Sequence, residues 1–358
     1  MSKLLDGAVV LITGGTGSLG QTLVRRLLRG EMGTPARIVV YSRCEAKQYA
    51  MKTNWKHAYG ATDDIYYHNF DELIQFRIGD VRDPVSVTQA VENADVVFHA
   101  AAMKQVPTCE YFPVEAVATN VTGAANVVRA ARRSERTRLV VGISTDKACK
   151  PINVMGMTKA IQERVVVEGN LEQDHCHMVA VRYGNVLSSR GSVIPLFREQ
   201  IAHGGPVTVT LAEMTRFLLS LDSAVDTVFA AVDHAERGDI FVPQVPSARI
   251  TDVAEMMIGG RDIEMVLTGI RPGEKIHEIL VSQEESFRTT ERAGHYVIQP
   301  QLPELQGAEG PRPLTDEYSS ADSVVVGQQL AALIEQSGFV DPAMSGAMAD
   351  AVAAPGGP

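Results

Sequence analysis

The sequence predicts an α/β fold built on a doubly wound parallel sheet, followed by a smaller second α/β unit. Apolar strand-like runs alternate with helix-like segments from about residue 8 to about residue 145. This alternation is typical of a parallel sheet with helices on both faces. A strand, a glycine-rich turn and a helix open the series, and beyond residue 186 the elements become shorter and less regular.

The glycine-rich turn is the first candidate functional feature. An apolar β-branched run ends in glycines at positions 14, 17 and 20, and residues 19–28 then have the apolar spacing of a helix. In this context the glycines permit a tight turn, a close approach of backbone N–H groups to a pyrophosphate, and close packing of helix on strand. We expect the turn to bind a dinucleotide. Its predicted contacts are Gly14, Thr16, Gly17, Ser18, Leu19 and Gly20.

The end of the second predicted strand, residues 36–41, bears on which dinucleotide binds. An acidic residue at this place binds the ribose 2′-hydroxyl of NAD, whereas an arginine accommodates the 2′-phosphate of NADP. Ser42 and Arg43, followed by Lys47, favour NADP. Glu45 keeps NAD as an alternative, and a solvated loop arginine is the structural alternative for Arg43.

Polar residues follow the third predicted strand, residues 72–79, and small residues form the C-terminal end of the fourth, residues 94–102. Ligands of open parallel sheets lie outside the carboxyl ends of the strands, so these positions are expected to face the cofactor. His99 is interpreted as a core histidine. The fifth strand is predicted at residues 138–143, and residues 115–133 have helical periodicity. The further predicted cofactor contacts are Asp80, Val81, Ala100, Ala101, Ala102, Lys104, Asn120 and Lys159.

The fifth strand runs into a candidate catalytic group. Reductases of this architecture place Ser or Thr at this strand end, and a Tyr four residues before a Lys on the next helix. Here Thr145 and Lys159 are present, but the tyrosine position is Met155, whose thioether has no proton to give. Asp146 and Lys147 therefore become the candidates for proton transfer, provided that the strand has already become a loop. A surface ion pair is the structural alternative for these two residues.

Composition and charge exclude several classes of function. The net charge of −10 argues against nucleic acid or an acidic membrane surface as the main partner. The four cysteines are widely spaced, which predicts reduced thiols and no metal site. No run approaches the ~20 apolar residues of a membrane span, and the N-terminus does not have the pattern of a signal peptide. We expect a soluble, cytoplasmic protein.

A series of motifs resembles one family. In order, they are TGGTGSLG, YSR, GDVRD, HAAAMK, STDK with PINVMGMTK, RYGNVLSSRGSVIPLF, EMTRFL and RPGEK. From about residue 5 to residue 290 the chain resembles the inverting UDP-N-acetylglucosamine 4,6-dehydratases, in the extended short-chain dehydrogenase/reductase superfamily. The resemblance implies a Rossmann NADP-binding domain in residues 1–186, with some later segments, and a substrate-binding domain in residues 187–335. Residues 336–358 are expected to form a flexible tail.

The resemblance also implies a reaction. NADP⁺ takes a hydride from C4 of the hexose, and the resulting ketone acidifies the C5 proton so that the C6 hydroxyl can leave. The hydride returns to C6, and a proton reaches C5 from the opposite face. On this sequence Asp146 is the implied acid for the C6 hydroxyl and Lys147 the C5 base, with a lowered pKa. Thr145 positions the C4 hydroxyl, and Lys159 binds the nicotinamide ribose.

Three interpretations of the chain remain open, and Met155 bears on them. Some dehydratases of this family also carry Met there, so we favour an active enzyme in which Lys147, Asp146 or water takes the C4 proton. A non-catalytic NADP-binding sensor is the alternative, and so is another nucleotide-sugar enzyme, such as a 4-epimerase or a retaining dehydratase. The resemblance further implies a homo-oligomer, with a hexamer as one option.

The remaining motifs are implied to bind the UDP-sugar substrate. Asn185 ends the RYGN motif and is expected to reach the diphosphate. Planar arginine side chains suit phosphate and uracil recognition, although each arginine taken alone is more often an ion-pair residue. The implied substrate contacts are Lys104, Asn185, Val193, Arg216, Arg271 and Glu274, with Arg190 as a weaker candidate.

Overall fold

A computed structural model describes residues 3–58, 73–186, 193–307 and 311–336. In this described part, nine strands form one central sheet and six shorter strands form three two-stranded ladders. The strands are β1 Val9–Thr13, β2 Arg37–Ser42, β3 Ile74–Ile78, β4 Val96–His99, β5 Leu139–Ile143, β6 His177–Val181, β7 Val207–Val209, β8 Thr215–Phe217, β9 Ile240–Pro243, β10 Ser247–Arg249, β11 Met265–Leu267, β12 Ile279–Val281, β13 Thr289–Arg292, β14 His295–Ile298 and β15 Tyr318–Ser319.

Helices connect these strands in the alternating manner that the sequence predicts. The described helices are α1 Ser18–Leu28, α2 Glu45–Ala58, α3 Pro84–Val91, α4 Val106–Tyr111, α5 Pro113–Ala116, α6 Gly123–Arg133, α7 Val154–Glu168, α8 Val193–Ala202, α9 Leu221–His234, α10 Ile250–Ile258, α11 Gln283–Ser286 and α12 Gly327–Gln336. A π-helical turn covers Val117–Thr122, and 3-10 turns cover Asp146–Ala148 and Pro303–Leu305.

The central sheet has the order β13-β14-β9-β6-β5-β4-β1-β2-β3. Strands β3, β2, β1, β4, β5, β6 and β9 pair in parallel. At one edge, β14 runs in the opposite direction and pairs antiparallel with both β9 and β13. The strand order reverses direction between β1 and β4, which is the place where doubly wound sheets bind ligands. The predicted fold class is confirmed.

Side chains alternate across the sheet and create a core on each face. In β1, Val10 and Ile12 belong to one buried cluster together with α1 and α9, whereas Leu11 belongs to a second cluster with α3 and α6. This period of two is what a strand buried on both faces requires. The sheet is therefore held rigidly between two helical layers.

The later part of the chain has two roles. Strands β9, β13 and β14 extend the central sheet, so the residues after 186 complete the first unit as well as forming the second. A separate apolar cluster joins α8, α10 and α12 to the β7–β11 and β8–β10 ladders. This smaller cluster forms the region expected to bind substrate.

The helix predicted for residues 115–133 is present but not regular. Its π-helical turn lies between α5 and α6 and contains Asn120. An inserted π-turn shifts the side chains that follow it, and such turns are frequent at functional sites. Periodicity alone cannot reveal one extra residue within a continuous helix.

Some predictions concern residues that the structure does not describe. Arg190 lies outside the described residues, as does the predicted tail beyond residue 336. Within the described residues, no helix combines the length and apolarity needed to cross a bilayer.

Candidate active site

The glycine turn between β1 and α1 forms a backbone cradle. Gly14 has φ +69°, and a Cβ on it would lie 2.8 Å from the backbone of Ala100 and Ala101. Gly17 is the N-cap of α1, and among the described residues no side chain caps this helix end. The first N–H groups of α1 are therefore free of side-chain partners, which suits an anionic group at a helix N-terminus.

Further predicted cofactor contacts follow the neighbouring strands β2 and β3. Ser42, at the end of β2, accepts a hydrogen bond from Gln48. The Arg43 guanidinium, about half exposed, lies 3.9 Å from the carboxylate of Asp80 beyond β3. Lys47 lies in the first turns of α2, and buried Val81 follows Asp80. The predicted cofactor residues after β2 and β3 thus lie close together at the carboxyl ends of these strands.

Asn120, in the π-helical turn, forms hydrogen bonds with the loop that follows β4. It is fully buried, accepts from the Met103 backbone N–H at 2.8 Å and donates to the Met103 carbonyl at 3.0 Å. Its amide also donates to the Thr158 hydroxyl at 3.0 Å. Asn120 therefore holds the loop that carries Ala102 and the exposed Lys104.

The candidate catalytic residues lie in the 3-10 turn that follows β5. Lys147 Nζ donates to Asp146 Oδ1 at 3.1 Å, and the Thr145 hydroxyl donates to the same carboxylate at 2.7 Å. Asp146 is 1% exposed, and its Oδ2 has no hydrogen-bond partner among the described residues. The strand has already ended, so neighbouring side chains converge instead of pointing to opposite faces. A pair buried in this way is not the solvated surface ion pair of the structural alternative.

Lys147 is surrounded by more charge than its motif reveals. Its Nζ donates to Asn185 Oδ1 at 3.0 Å and lies 3.3 Å from the carboxylate of Glu278. Burial alone would lower the pKa of Lys147, but the carboxylates of Asp146 and Glu278 outweigh burial and the nearby Arg216, so this pKa is raised. The expectation of a lowered pKa is therefore wrong for the protein without ligand.

Glu278 is the residue that sequence reasoning missed. It is 3% exposed and follows the RPGEK motif in the apolar sequence IHEIL. A carboxylate within an apolar run that is about to form a buried strand needs a charged partner. That signal was available in the sequence, although the identity of the partner was not.

Helix α7 carries the Met155 and Lys159 positions. Met155 is 5% exposed and packs against Cys109 and Ala116. Lys159 donates to the Ile143 carbonyl at the end of β5, and burial lowers its pKa to about 7 against the opposing effect of Glu163. The two side chains share a helix face as their spacing predicts.

The start of α7 is pressed against the catalytic turn. A Cβ on Gly156 would lie 2.2 Å from the Lys147 carbonyl oxygen, so only glycine allows this approach. Asn153 caps the helix through the Gly156 N–H and also donates to the Gly273 carbonyl at 2.8 Å. The N-cap thereby joins the catalytic turn to the RPGEK segment.

The predicted substrate residues have different environments. Arg216 is 8% exposed and donates to the carbonyls of Thr215, Ile276 and Lys275. Arg271 is largely exposed, 3.9 Å from Glu274, one of whose carboxylate oxygens is buried without a partner among the described residues. Val193 begins α8, and Asn185 contacts Lys147. The structure brings Asn185 and Arg216 to the catalytic turn and leaves Arg271 in a neighbouring loop.

A buried ion network lies behind this turn. Arg182, at the end of β6, makes bidentate contacts with Glu163 of α7 and with Glu285 of α11. Glu163 also accepts from the Ser144 hydroxyl at 2.5 Å, next to the catalytic residues. The network connects the sheet, α7 and the later part of the chain.

A family model described as "Polysaccharide biosynthesis protein" matches residues 10–300. The chain belongs to this family. The inverting UDP-N-acetylglucosamine 4,6-dehydratase of Campylobacter jejuni is 38% identical over 302 residues, covering 84% of this chain and 85% of that protein. A protein named UDP-glucose 4-epimerase from Rickettsia felis is 42% identical over 294 residues, covering 81% and 82%.

A solved structure extends the likeness to the fold. The X-ray structure of Pen from Bacillus thuringiensis superposes with a TM-score of 0.83 at 32% identity, covering 94% of this chain and 99% of that one. Relatives of this chain at similar identity thus carry both dehydratase and epimerase names, and sequence identity alone does not separate the two activities.

Proposed function

We propose that the chain is an NADP-dependent 4,6-dehydratase of UDP-N-acetylglucosamine that inverts C5. The observation that carries this proposal is the pair formed by the buried Asp146 and the mostly buried Lys147, joined by a 3.1 Å hydrogen bond just after β5. A reaction that removes one proton from carbon and gives another to a leaving hydroxyl needs an acid and a base side by side. The similarity to the Campylobacter jejuni dehydratase supports the same substrate.

The residues of the cradle suit a dinucleotide, and bound NADP would supply the hydride acceptor and donor. The positive φ of Gly14 and the uncapped start of α1 fit a pyrophosphate. Arg43 and Lys47 favour a 2′-phosphate, whereas Glu45 keeps NAD as the alternative. Lys159 projects from α7 beside the end of β5, where we assign it to the nicotinamide ribose.

In the resting pair, the ammonium of Lys147 donates to the carboxylate of Asp146. Transfer of that proton from Nζ to Oδ1 gives a free amine and a carboxylic acid without changing the total number of protons. Because the pair holds only one proton, the proton of the C4 hydroxyl goes to water when C4 is oxidised to the ketone. The amine then takes the C5 proton, and the carboxylic acid gives its proton to the C6 oxygen, which leaves as water. Thr145 keeps the carboxylate oriented through its 2.7 Å hydrogen bond.

A 4-epimerase is the second candidate, because the Rickettsia felis relative carries that name. Incubation with UDP-N-acetylglucosamine in deuterated water separates the candidates. A dehydratase gives a product that has lost one water and carries deuterium at an inverted C5, detected by mass spectrometry and NMR. An epimerase gives a product of unchanged mass, and a non-catalytic sensor gives none; either result would overturn the proposal. Lys147→Ala, which removes the base, is the matched inactive control.

We also infer that the chain forms a homo-oligomer. Large apolar side chains are exposed on α4, α5, the π-helical turn and α7, which are neighbours in the fold. Such a patch is typical of a subunit interface. Ile161→Glu on α7 should lower the molecular mass measured by light scattering, and an unchanged mass would argue against this surface. The exposed residues include Tyr111, Phe112, Val114, Val117, Met157 and Ile161.

A further inference from the structure

Glu278 is a buried carboxylate in contact with the candidate base. It precedes β12, is 3% exposed, and its Oε1 lies 3.3 Å from Lys147 Nζ and 3.7 Å from Arg216 Nε. Its other oxygen, Oε2, has no hydrogen-bond partner among the described residues. A buried carboxylate with one unused oxygen is costly unless a cation compensates it. The nearest cation is the amine of Lys147.

The surroundings of Lys147 match an ammonium ion. An ammonium has three N–H donors, and three oxygens surround Nζ at hydrogen-bonding or ion-pair distance: Asp146 at 3.1 Å, Asn185 at 3.0 Å and Glu278 at 3.3 Å. A free amine would direct its lone pair at one of these oxygens. The three acceptors come from separate parts of the chain: the turn after β5, the loop after β6 and the segment before β12.

We infer that Glu278 is a positioning residue that holds Lys147 as an ammonium ion between itself, Asp146 and Asn185 in the substrate-free protein. Glu278 does not itself take part in bond making. It holds the amine in place and raises the pH at which the amine loses its proton. The residue belongs to the later part of the chain, so the protonation of the base depends on the packing of that part against the turn after β5.

The charged groups around the amine determine the sign of the effect. Asp146 and Glu278 are negative and stabilise the ammonium, Arg216 is positive and opposes them, and Asn185 is neutral. Glu278→Gln keeps the shape of the side chain but removes one negative charge. The ammonium is then less stable, so Lys147 loses its proton at lower pH. An opposite charge at this distance typically shifts a pKa by about 1–3 units.

The test measures the titration of Lys147 directly in the full-length protein without substrate. Trace labelling with acetic anhydride across the alkaline range, read by peptide mass spectrometry, gives an apparent pKa for each lysine. In the unaltered protein the pKa of Lys147 should lie above the ordinary lysine value of 10.5. In Glu278→Gln its pKa should fall by about 1–3 units, and in Glu278→Asp, which keeps the charge, by less. Glu255→Gln, an exposed carboxylate on α10, is the matched control and should leave the titration unchanged.

Two results would overturn the inference. One is an unchanged Lys147 pKa in a Glu278→Gln protein whose circular dichroism and melting temperature are native. The other, which needs no variant, is a Lys147 pKa at or below the ordinary lysine value of 10.5 in the unaltered protein.

The consequence for turnover rests on the proposed function. If the pair of Asp146 and Lys147 must keep one shared proton, activity is lost at the pH where the amine releases it. Glu278→Gln should then move the alkaline fall of kcat/KM to lower pH, whereas damage to the fold would reduce kcat/KM equally at all pH values. A labelling shift without any dehydration contradicts the proposed function alone, and dehydration without a labelling shift contradicts the role of Glu278 alone.

Discussion

At the scale of single residues, Met155 stands where related reductases have a proton donor. The structure shows it packed in a small apolar cluster with Cys109 and Ala116, under Met103 and Val106. A thioether in that setting fills space and takes no proton. The proposed function therefore assigns the proton transfers at C5 and C6 to the charged pair in the adjacent turn, and none to Met155.

Met155→Leu tests this interpretation. A volume-conserving apolar exchange should change the free energy of unfolding by less than about 1.5 kcal/mol and keep turnover within a few-fold. Met155→Ala, the comparison variant, should lose about 2–5 kcal/mol through the cavity it leaves. Urea denaturation and product formation are the measurements. A stable but inactive Leu variant would show that the sulfur takes part in the reaction.

Lys159 gives a second prediction at this scale, through pH. Its pKa of about 7 in the folded protein lies below the ordinary value of 10.5, so above about pH 7 the unfolded chain binds more protons than the folded one. Stability from this residue therefore rises with pH, by at most about 1.4 kcal/mol per pH unit. The unfolding free energy of the unaltered protein, minus that of Lys159→Met, should therefore rise from about pH 7 to about pH 9. Urea denaturation measures these free energies. The same pH dependence in both proteins would refute a buried neutral amine at Lys159.

At the scale of elements, the turn between β1 and α1 depends on two separate constraints at Gly14. The positive φ disfavours any side chain, and the backbone of Ala100 and Ala101 occupies the space of a Cβ. The first constraint comes from the turn itself. The second arises because β1 and β4 are neighbours in the sheet.

Gly7 permits the two constraints to be separated. It has φ +68°, almost the same as Gly14, but no atom lies within 4 Å of its Cβ position. Gly7→Ala should destabilise the protein by about 1–2 kcal/mol from the backbone alone. Gly14→Ala should lose clearly more and weaken dinucleotide binding, measured by urea denaturation and calorimetric titration. Equal losses of unfolding free energy in the two variants would mean that the close approach to the backbone after β4 does not affect stability.

At the scale of the whole molecule, Arg182 connects parts of the chain that are far apart in sequence. Its guanidinium contacts Glu163 and Glu285, and all three groups are buried. Breaking a buried pair leaves an uncompensated charge, which costs about 3–5 kcal/mol. The network thereby fixes α7 and the later part of the chain against the sheet that carries the candidate catalytic turn, Asp146–Ala148.

Arg182→Met should lower the free energy of unfolding by about 3–5 kcal/mol. Arg132→Met, which removes contacts with the exposed Glu168 and Glu172, should cost less than about 1 kcal/mol. Chemical denaturation of the two variants makes the comparison. Similar losses would mean that burial of the network adds nothing to the stability of the fold.

The sequence by itself determined the sheet, the glycine turn and the membership of Asp146 and Lys147 in one turn. These features depend on local patterns: apolar periodicity, glycine spacing, and a strand that ends before its polar residues. Only the tertiary structure revealed the second carboxylate beside Lys147, because Glu278 comes from a segment more than a hundred residues away and its charge acts through space. For the same reason the roles of Asn120 and Arg216, which depend on distant carbonyl groups, could not be derived from the spacing of residues along the chain.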